Sequence, residues 1–461
     1  MNATFATNSA RRSQSRSRLW MPVAAVLISG LAFASVGCSG ATPNATQDLS
    51  GQSTSTDAYV TRTGPARPSD TKVEPTKPAD PNKPADPGKP TAQTGVASAC
   101  PADLSGLLTA PLMDPKYISG LIPLGNVNPP GHTSPVDHIY FDSAFTGKIP
   151  LYAPADSAIT RVIEQAAKDA AGKYNPNGFT ITYTLCPGVH LDLASYTGVS
   201  DSLTAAMSKL QGNCVEIPQK PGHTDFGERQ CSFDLDLPVK AGDEIGWVQL
   251  QQTSQGPKFP FEVWASNDNV QTRTDVDWTY YLSYDNYYPH AVCLFDLYSG
   301  SLKTSFYAKF GLYENKNGKT TFTPRTVAPQ CGQINQDVVG AVQGMWFAGP
   351  PDPKHNYEFE GKGLAFIHYN IDPTRGEISV GGNITPNAGV VTFTPKHSGT
   401  VDREPSEVKA DGLTYCYNAS GWGLSGKILV QLTDEHHLQV EHQSGTCSAK
   451  ETLKAAITYQ R

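Results

Sequence analysis

Short runs of alternating apolar and polar residues, separated by Gly, Pro and Asn turns, dominate the chain from residue 100 onward. Since alternate residues of a β-strand point to opposite faces, such runs predict strands. In the first part of this region we predict strands at 137–141, 149–152, 159–164, 179–185, 190–193, 244–250 and 259–264. In the second part, predicted strands include 345–347, 364–371, 390–394, 413–417, 427–432 and 438–442. The pattern therefore predicts a mainly β protein.

One helix interrupts the strands of the first part. Ser200 or Asp201 can cap its N-terminus, and Gly212 favours its end. Its apolar positions follow at helical spacing: Leu203, Met207 and Leu210. We expect these side chains to lie on one buried face.

The first 37 residues have the layout of an export signal. Four arginines precede a short apolar stretch, and small residues follow up to Cys38. The apolar stretch is shorter than the ~20 residues that span a membrane as a helix. We interpret residues 1–37 as a lipoprotein signal peptide and Cys38 as the lipid-bearing residue; an ordinary cleaved secretory signal is the alternative. Either interpretation predicts export, and the first predicts a lipid anchor in a bacterial membrane that holds the protein in the periplasm or at the cell exterior.

Residues 38–99 have the composition of a tether. They are rich in Pro, Thr, Ser, Ala and Asp, poor in large apolar residues, and contain the tandem repeat KPADPN-KPADPG. Such a segment cannot bury enough apolar surface to offset the entropy of ordering. We therefore predict a disordered spacer between the membrane and the folded body.

The cysteine count supports an oxidising compartment. Nine cysteines are present, and assigning Cys38 to lipid leaves an even set of eight without any C-x-x-C pair. Eight cysteines allow 105 connectivities. Proximity in sequence makes two pairs our first expectation, Cys214 with Cys231 and Cys416 with Cys447, within rather than between domains. The net charge of −7 provides no basic surface for nucleic acid, so we predict no nucleic-acid partner.

The length of the remaining chain predicts two domains. Residues 100–461 exceed the ~250–300 residues at which a single hydrophobic core usually stops growing. A polar stretch after the 259–264 strand suggests the boundary, which gives one domain at 100–268 and a second at 269–461. The regular spacing of strands and turns in the second predicts an antiparallel β-sandwich or barrel of unknown role.

Three ordered phrases in the first domain carry a family resemblance. Residues 239–263 read VKAGDEIGWVQLQQTSQGPKFPFEV, which resembles the closing motif of the lysostaphin-like zinc metallopeptidases, where V-x-A-G-x-x-I-G precedes His-x-His-Phe-Glu-Val. GHTSPVDHIYF at 131–141 resembles the family's His-x-x-x-Asp segment, and IPLYAPADSAIT at 149–160 resembles its V-x-A-P-x-D-G-x-V strand pair. The resemblance covers roughly residues 121–265 and implies a peptidase-like hybrid of β-barrel and sandwich.

The metal-binding histidines of that family are replaced here. Lys258 and Pro260 occupy the two positions of His-x-His, and the second of these supplies a zinc ligand in the peptidases. Strand alternation places Lys258, Pro260 and Glu262 on one face, with Phe259, Phe261 and Val263 in the core. Because proline has no donor atom, the resemblance implies a degenerate peptidase domain without a catalytic residue, metal or other cofactor.

The remaining positions of the family's site define a candidate groove. The resemblance places its first two ligands at His132 and Asp137, five residues apart instead of four, and His138 can substitute for either. His190, in VHLDL, matches the family's catalytic histidine, and Asp192 lies two residues further along the same strand face. The groove thus comprises His132, Asp137, His190, Asp192, Lys258 and Pro260. Hydrogen bonds at turns and strand edges explain His132, Asp137 and His138 equally well.

Two functions follow from this reading. The first is a non-catalytic envelope lipoprotein that binds peptidoglycan or another envelope protein, as peptidase relatives without zinc ligands often do. The alternative is a divergent zinc-dependent peptidoglycan endopeptidase in which His132, Asp137, His138 and Asp192 supply ligands and His190 acts as acid and base. A catalytic zinc normally needs three protein ligands and a water, which favours the first.

An aromatic run follows the first domain. DWTYYLSYDNYYPH at 277–290 contains residues that can stack on sugar rings, since their rings have an apolar face and a polar edge. Such runs also occur in the cores of β-sheets. We predict a second candidate binding surface of four residues: Trp278, Tyr281, Tyr284 and Tyr287.

Overall fold

The computed structural model describes residues 96–461 apart from 170, 218–227, 250–251, 254–255, 258–260, 272–287, 317–318 and 351–360. The signal peptide, Cys38, most of the tether, Lys258, Phe259, Pro260 and the four aromatic residues of the second candidate surface lie outside the described residues. The described chain is mainly β, which confirms the predicted fold class.

Thirteen strands form the first part of the structure. They are β1 (Gly120–Ile122), β2 (His138–Asp142), β3 (Lys148–Tyr152), β4 (Ser157–Lys168), β5 (Tyr174–Cys186), β6 (Val189–Tyr196), β7 (Gly198–Val199), β8 (Asn213–Ile217), β9 (Glu228–Val239), β10 (Glu244–Gln249), β11 (Gln252–Thr253), β12 (Gly256–Pro257) and β13 (Phe261–Asn267). Eight of them form a large sheet in the order β1-β2-β13-β6-β5-β4-β9-β8, and three form a small sheet in the order β3-β10-β7. The pairings in both sheets are antiparallel.

The predicted helix is present but shorter than expected. Helix α1 (Asp201–Met207) begins at Ser200, whose side chain accepts a hydrogen bond from the Leu203 amide. Leu203 and Met207 are buried, whereas Leu210 lies beyond the helix end and is exposed. The apolar spacing thus predicted two of the three buried positions.

Within the described residues, the second part includes an eight-residue helix and ten further strands. They are α2 (Gly300–Tyr307), β14 (Gly311–Lys316), β15 (Lys319–Pro324), β16 (Gly344–Phe347), β17 (Gly363–His368), β18 (Gly376–Val380), β19 (Gly389–Phe393), β20 (Tyr415–Asn418), β21 (Lys427–Asp434), β22 (His437–Gln443) and β23 (Ile457–Gln460). Strands β14 and β15 form a hairpin, and the other eight form an antiparallel sheet in the order β19-β18-β17-β16-β23-β22-β21-β20. A hydrogen bond of 3.0 Å from the Val390 amide on β19 to the Trp422 carbonyl, just past β20, nearly closes this sheet into a barrel.

One hydrophobic core lies between the large and small sheets, and it extends past residue 268. Phe141 of β2 contacts Phe295, with ring centroids 5.9 Å apart, and Phe295 contacts Phe306 of α2 at 4.7 Å. Met345 and Ile367, from β16 and β17, belong to the same buried cluster. Apolar side chains from both predicted domains therefore share this core. The boundary between 268 and 269 stays a prediction.

A second core fills the nearly closed sheet. Trp346, Phe366 and Tyr417 are completely buried there, and the rings of Phe366 and Tyr417 lie 5.3 Å apart. The indole Nε1 of Trp346 donates a 2.8 Å hydrogen bond to the Val342 carbonyl. The sequence predicted an antiparallel sandwich or barrel here, and the nearly closed sheet has a solid interior formed by large aromatic residues.

All eight cysteines of the described chain are paired. The disulfides are Cys100–Cys186, Cys214–Cys231, Cys293–Cys331 and Cys416–Cys447. Both pairs expected from sequence proximity are confirmed, and every disulfide lies within one predicted domain. Four disulfides indicate an oxidising, exported environment.

A partly buried ion pair gives the second part a pH-dependent contact. His368 Nε2 lies 3.2 Å from Glu404 Oε1. The hydrogen bond to Glu404 raises the pKa of His368 above its usual value. Burial, the largest single cause, opposes ionisation of Glu404, but the hydrogen bond and charge of His368 together with hydrogen bonds from Ser406 outweigh it and lower the pKa of the carboxyl. The pair is therefore fully charged at mildly acidic pH.

We expect His368→Gln to destabilise the protein more at about pH 5.5 than at about pH 8.5. In the unfolded chain the pKa values are about 6.5 for His and about 4.3 for Glu. A raised histidine pKa contributes stability below the unfolded value, and that stability is lost as pH rises through the folded value. Thermal unfolding at both pH values measures the difference. His397→Gln, which removes an exposed pair with Glu407, serves as the control. An equal loss for His368→Gln at both pH values would contradict the assignment.

Candidate functional site

The outer face of the large sheet collects most of the described residues of the candidate groove. Residues directly opposite each other on antiparallel strands share a face. Trp264 of β13 lies opposite His138 of β2 on one side and opposite Asp192 of β6 on the other, and Ser266 lies opposite His190. The alternate residues of these strands point into the core: Ile139, Phe141, Leu191, Leu193, Phe261 and Val263. The prediction that Phe261 and Val263 are buried is confirmed.

The carboxylate of Asp137 organises the centre of this face. Its Oδ1 accepts a hydrogen bond of 3.0 Å from His138 Nδ1 and another of 2.9 Å from Trp264 Nε1. Asp137 and His138 are both buried, with 6% and 3% of their surfaces exposed. Two hydrogen bonds to one oxygen compensate part of the cost of burying the carboxylate. The same oxygen is therefore already occupied by two protein donors.

Three aromatic rings lie around His138, the histidine that bonds that carboxylate. The His138 ring lies 4.3 Å from Trp264, 4.7 Å from Tyr140 and 5.2 Å from His132, measured between centroids. Desolvation, together with the nearby His138, lowers the pKa of His132 well below its ordinary value. His132 is therefore uncharged at neutral pH. We call these five residues, His132, Asp137, His138, Tyr140 and Trp264, the aromatic cluster.

A second polar group lies beside the aromatic cluster on β5 and β6. Thr182 donates a short hydrogen bond to Asp192 Oδ1. His190 Nδ1 lies 3.2 Å from the hydroxyl of Thr184, which lies 3.1 Å from the hydroxyl of Thr160. These contacts hold Asp192 and His190 in place on the strand next to Trp264. The structure thus brings His132, Asp137 and His138 into contact and aligns Asp192 and His190 on the same sheet face.

The described residues do not fit a zinc site. Within them, no three His, Cys, Asp or Glu side chains converge as a metal-binding group. Zinc prefers a set of three protein ligands with an open fourth position, and the hydrogen bonds of Asp137 Oδ1 compete with metal coordination. Position 260, where the resemblance places the third ligand, lies outside the described residues. We derive no catalytic step through a metal.

Trp264 and Tyr140 are the members of the aromatic cluster that our sequence analysis missed. The signal was present, because Trp264 follows Glu262 by two residues and must share its strand face. Tyr140 follows His138 in the same way. The family's motifs contain histidines and carboxylates at these positions. The alternation of residues along each strand places both aromatic side chains on the same face as those groups.

The chain has no match in the three comparisons with known proteins: no family model, no curated protein and no solved structure is similar to it. The resemblance to lysostaphin-like peptidases therefore stays a prediction from the three sequence phrases.

Proposed function

We propose that this protein is an exported, non-catalytic lipoprotein of the cell envelope that binds peptidoglycan or an envelope protein through the outer face of its large sheet. The observation that carries the proposal is the shared Asp137 carboxylate. Where the resemblance predicts a metal ligand, Asp137 accepts hydrogen bonds from His138 and Trp264. The arrangement suits recognition by a rigid polar and aromatic surface.

The partly exposed members of this face provide the recognition chemistry. Trp264, Glu262, His132 and His190 each retain solvent exposure, whereas Asp137, His138, Tyr140 and Asp192 are buried beneath or beside them. An indole ring stacks on sugar or peptide groups, and the carboxylate and imidazoles supply hydrogen bonds. The buried members hold the exposed ones in fixed orientations, which lowers the entropic cost of binding.

The compartment agrees with this proposal. Four disulfides indicate an exported protein, and the sequence supplies a lipid-attachment cysteine and a tether before residue 100. Within the described residues, no helix combines the length and hydropathy needed to cross a membrane. A lipid on Cys38 would supply the membrane attachment.

Co-sedimentation with purified, insoluble peptidoglycan tests the proposal. We expect wild-type protein to sediment with the polymer and Trp264→Ala and His190→Ala to bind about tenfold more weakly, which corresponds to about 1.4 kcal/mol. Trp422→Ala is the matched control, because Trp422 is also partly exposed but lies beside the second sheet. Thermal unfolding establishes that each variant is folded.

Two results would contradict the proposal or redirect it. If wild type and folded Trp264→Ala sediment equally, the large-sheet face is not the binding surface. If the soluble fraction contains cleaved stem peptides and the protein contains stoichiometric zinc, the alternative function, a zinc-dependent endopeptidase, replaces the proposed one.

A further inference from the structure

The small sheet presents a second aromatic surface on the opposite side of the core. Its inner residues, Ile149, Leu151 and Val248, belong to the same buried cluster as the inner face of the large sheet. Its outer face carries Trp247 of β10, which lies opposite Pro150 of β3 and Gly198 of β7. The aromatic cluster and Trp247 thus occupy the two outer faces of one sandwich.

Trp247 lies flat against the backbone of β7. A Cβ atom placed on Gly198 would lie 2.1 Å from Cζ2 of Trp247 and 2.6 Å from Cε2, so no larger residue fits beneath the ring. Glycine normally weakens a strand interior, because it loses more backbone entropy and packs no side chain. At position 198 the absence of a side chain leaves room for the indole to lie on the sheet, and Trp247 remains partly exposed.

A lysine accompanies the outward face of this ring. Lys148 Nζ lies 3.8 Å from the Trp247 ring centroid. Lys148 is exposed, and within the described residues it forms no ion pair with a carboxylate. A cation held by an aromatic face and lacking an anionic partner is complementary to a ligand that has both a flat apolar surface and a carboxylate.

The rest of the outer face continues along the pairing of β10 with β3. A bulge in the pairing of β10 with β3 places the exposed Glu244 opposite Tyr152, while Ile245 turns into the core. The strip therefore runs from Lys148 past Trp247 to Tyr152 and Glu244. Among the described residues of the strip, the cation Lys148 lies at one end and the carboxylate of Glu244 lies at the other. A bound chain would therefore have a preferred orientation along the strip.

We propose that this strip binds a glycan strand whose sugars carry carboxylate groups. A sugar ring stacks on Trp247 in the place that the flexible Lys148 side chain now covers, and the ammonium moves to the sugar's carboxylate. Aromatic stacking supplies affinity for a sugar ring, and the charge pair supplies the preference for a sugar that carries a carboxylate. The inference rests on the proposed function, since such a glycan is part of peptidoglycan, but the two surfaces share no residue and variants of each can be tested separately.

Two matched disaccharides test this inference by isothermal titration with the full mature chain. N-acetylglucosaminyl-N-acetylmuramic acid carries a lactyl carboxylate, and chitobiose in its N,N′-diacetylated form is its neutral counterpart. We expect the acidic disaccharide to bind about fivefold to tenfold more tightly than chitobiose. Lys148→Gln should abolish that preference while leaving chitobiose binding unchanged, and Trp247→Ala should weaken both by about tenfold.

Lys116→Gln is the control, because Lys116 also lies over an aromatic ring, 4.7 Å from the centroid of Tyr117, on a different surface. Trp247→Phe retains a flat ring and decides the role of stacking if Trp247→Ala fails to fold. The inference is overturned if neither disaccharide binds the wild type, or if Lys148→Gln retains the preference for the carboxylate.

Discussion

A fragment that comprises residues 96–268 is expected to lack a cooperative unfolding transition, although it retains both of its disulfides. The large side chains that it loses from the core between the sheets include Phe295, Tyr298, Phe306, Phe310, Met345 and Phe347. Burial of each such side chain contributes ~1.5–3 kcal/mol, so these six together contribute ~9–18 kcal/mol. A folded domain has a total stability of only about 5–15 kcal/mol. The burial energy that the fragment loses is therefore comparable to the total stability of a folded domain.

Circular dichroism and calorimetry on the fragment, with residues 96–461 as the control, provide the measurement. The control should unfold in a cooperative transition that involves the shared core. A fragment that melts sharply at the same temperature as the control would show instead that residues 100–268 fold alone. That result would support the domain boundary predicted from the sequence. It would contradict the claim that residues 96–268 need the shared core to fold.

The second large effect is expected at Trp346. Replacement by Ala should destabilise the protein by about 4 kcal/mol, because the substitution leaves a cavity the size of an indole. The ring is fully buried in the nearly closed sheet, and the guanidinium of Arg461 lies 4.2 Å from its centroid. The Val342 carbonyl also loses the hydrogen bond from Nε1. Urea unfolding measures the change in the free energy of unfolding.

Trp346→Phe separates packing from hydrogen bonding. It keeps most of the ring and should cost about half as much as Trp346→Ala. A loss below about 1 kcal/mol for Trp346→Ala would mean that the second core tolerates the cavity, which close-packed interiors do not. The aromatic interior assigned to the second sheet would then be wrong.

Strands with clear alternation were predictable from the sequence. All seven strands predicted before residue 268 overlap observed ones, and the six predicted examples after residue 344 do so as well. In these segments β-branched and aromatic residues mark the buried face. The ends of the strands were predicted less accurately. β4 and β5 extend well beyond their predicted ends, because their polar terminal residues form hydrogen bonds by pairing with each other.

Some of the missed elements share a physical reason. The β14–β15 hairpin (GLYENK and KTTFTP) and β8 (NCVEI) carry mostly polar side chains. Pairing with a neighbouring strand determines their conformation, and no local burial pattern reveals it. Cys214 lies directly opposite Cys231 across β8 and β9, so the disulfide predicted from proximity was itself an unrecognised indication of that strand pair.

The members of the candidate site were predictable only in part. Sequence phrases placed His132, Asp137 and His138 near one another, and in the structure the His132 and His138 rings form a pair while His138 bonds Asp137. Only the register of β13 between β2 and β6 reveals that Trp264 lies against Asp137. Register depends on contacts between distant segments, which a single strand's sequence does not contain.

Retention of the wild-type protein on purified peptidoglycan, before and after exhaustive treatment with EDTA, tests the central claim most directly. We expect the sedimented fraction to be the same in both states, because recognition by the aromatic cluster requires no metal. Loss of retention after EDTA, restored by added zinc, would contradict the account.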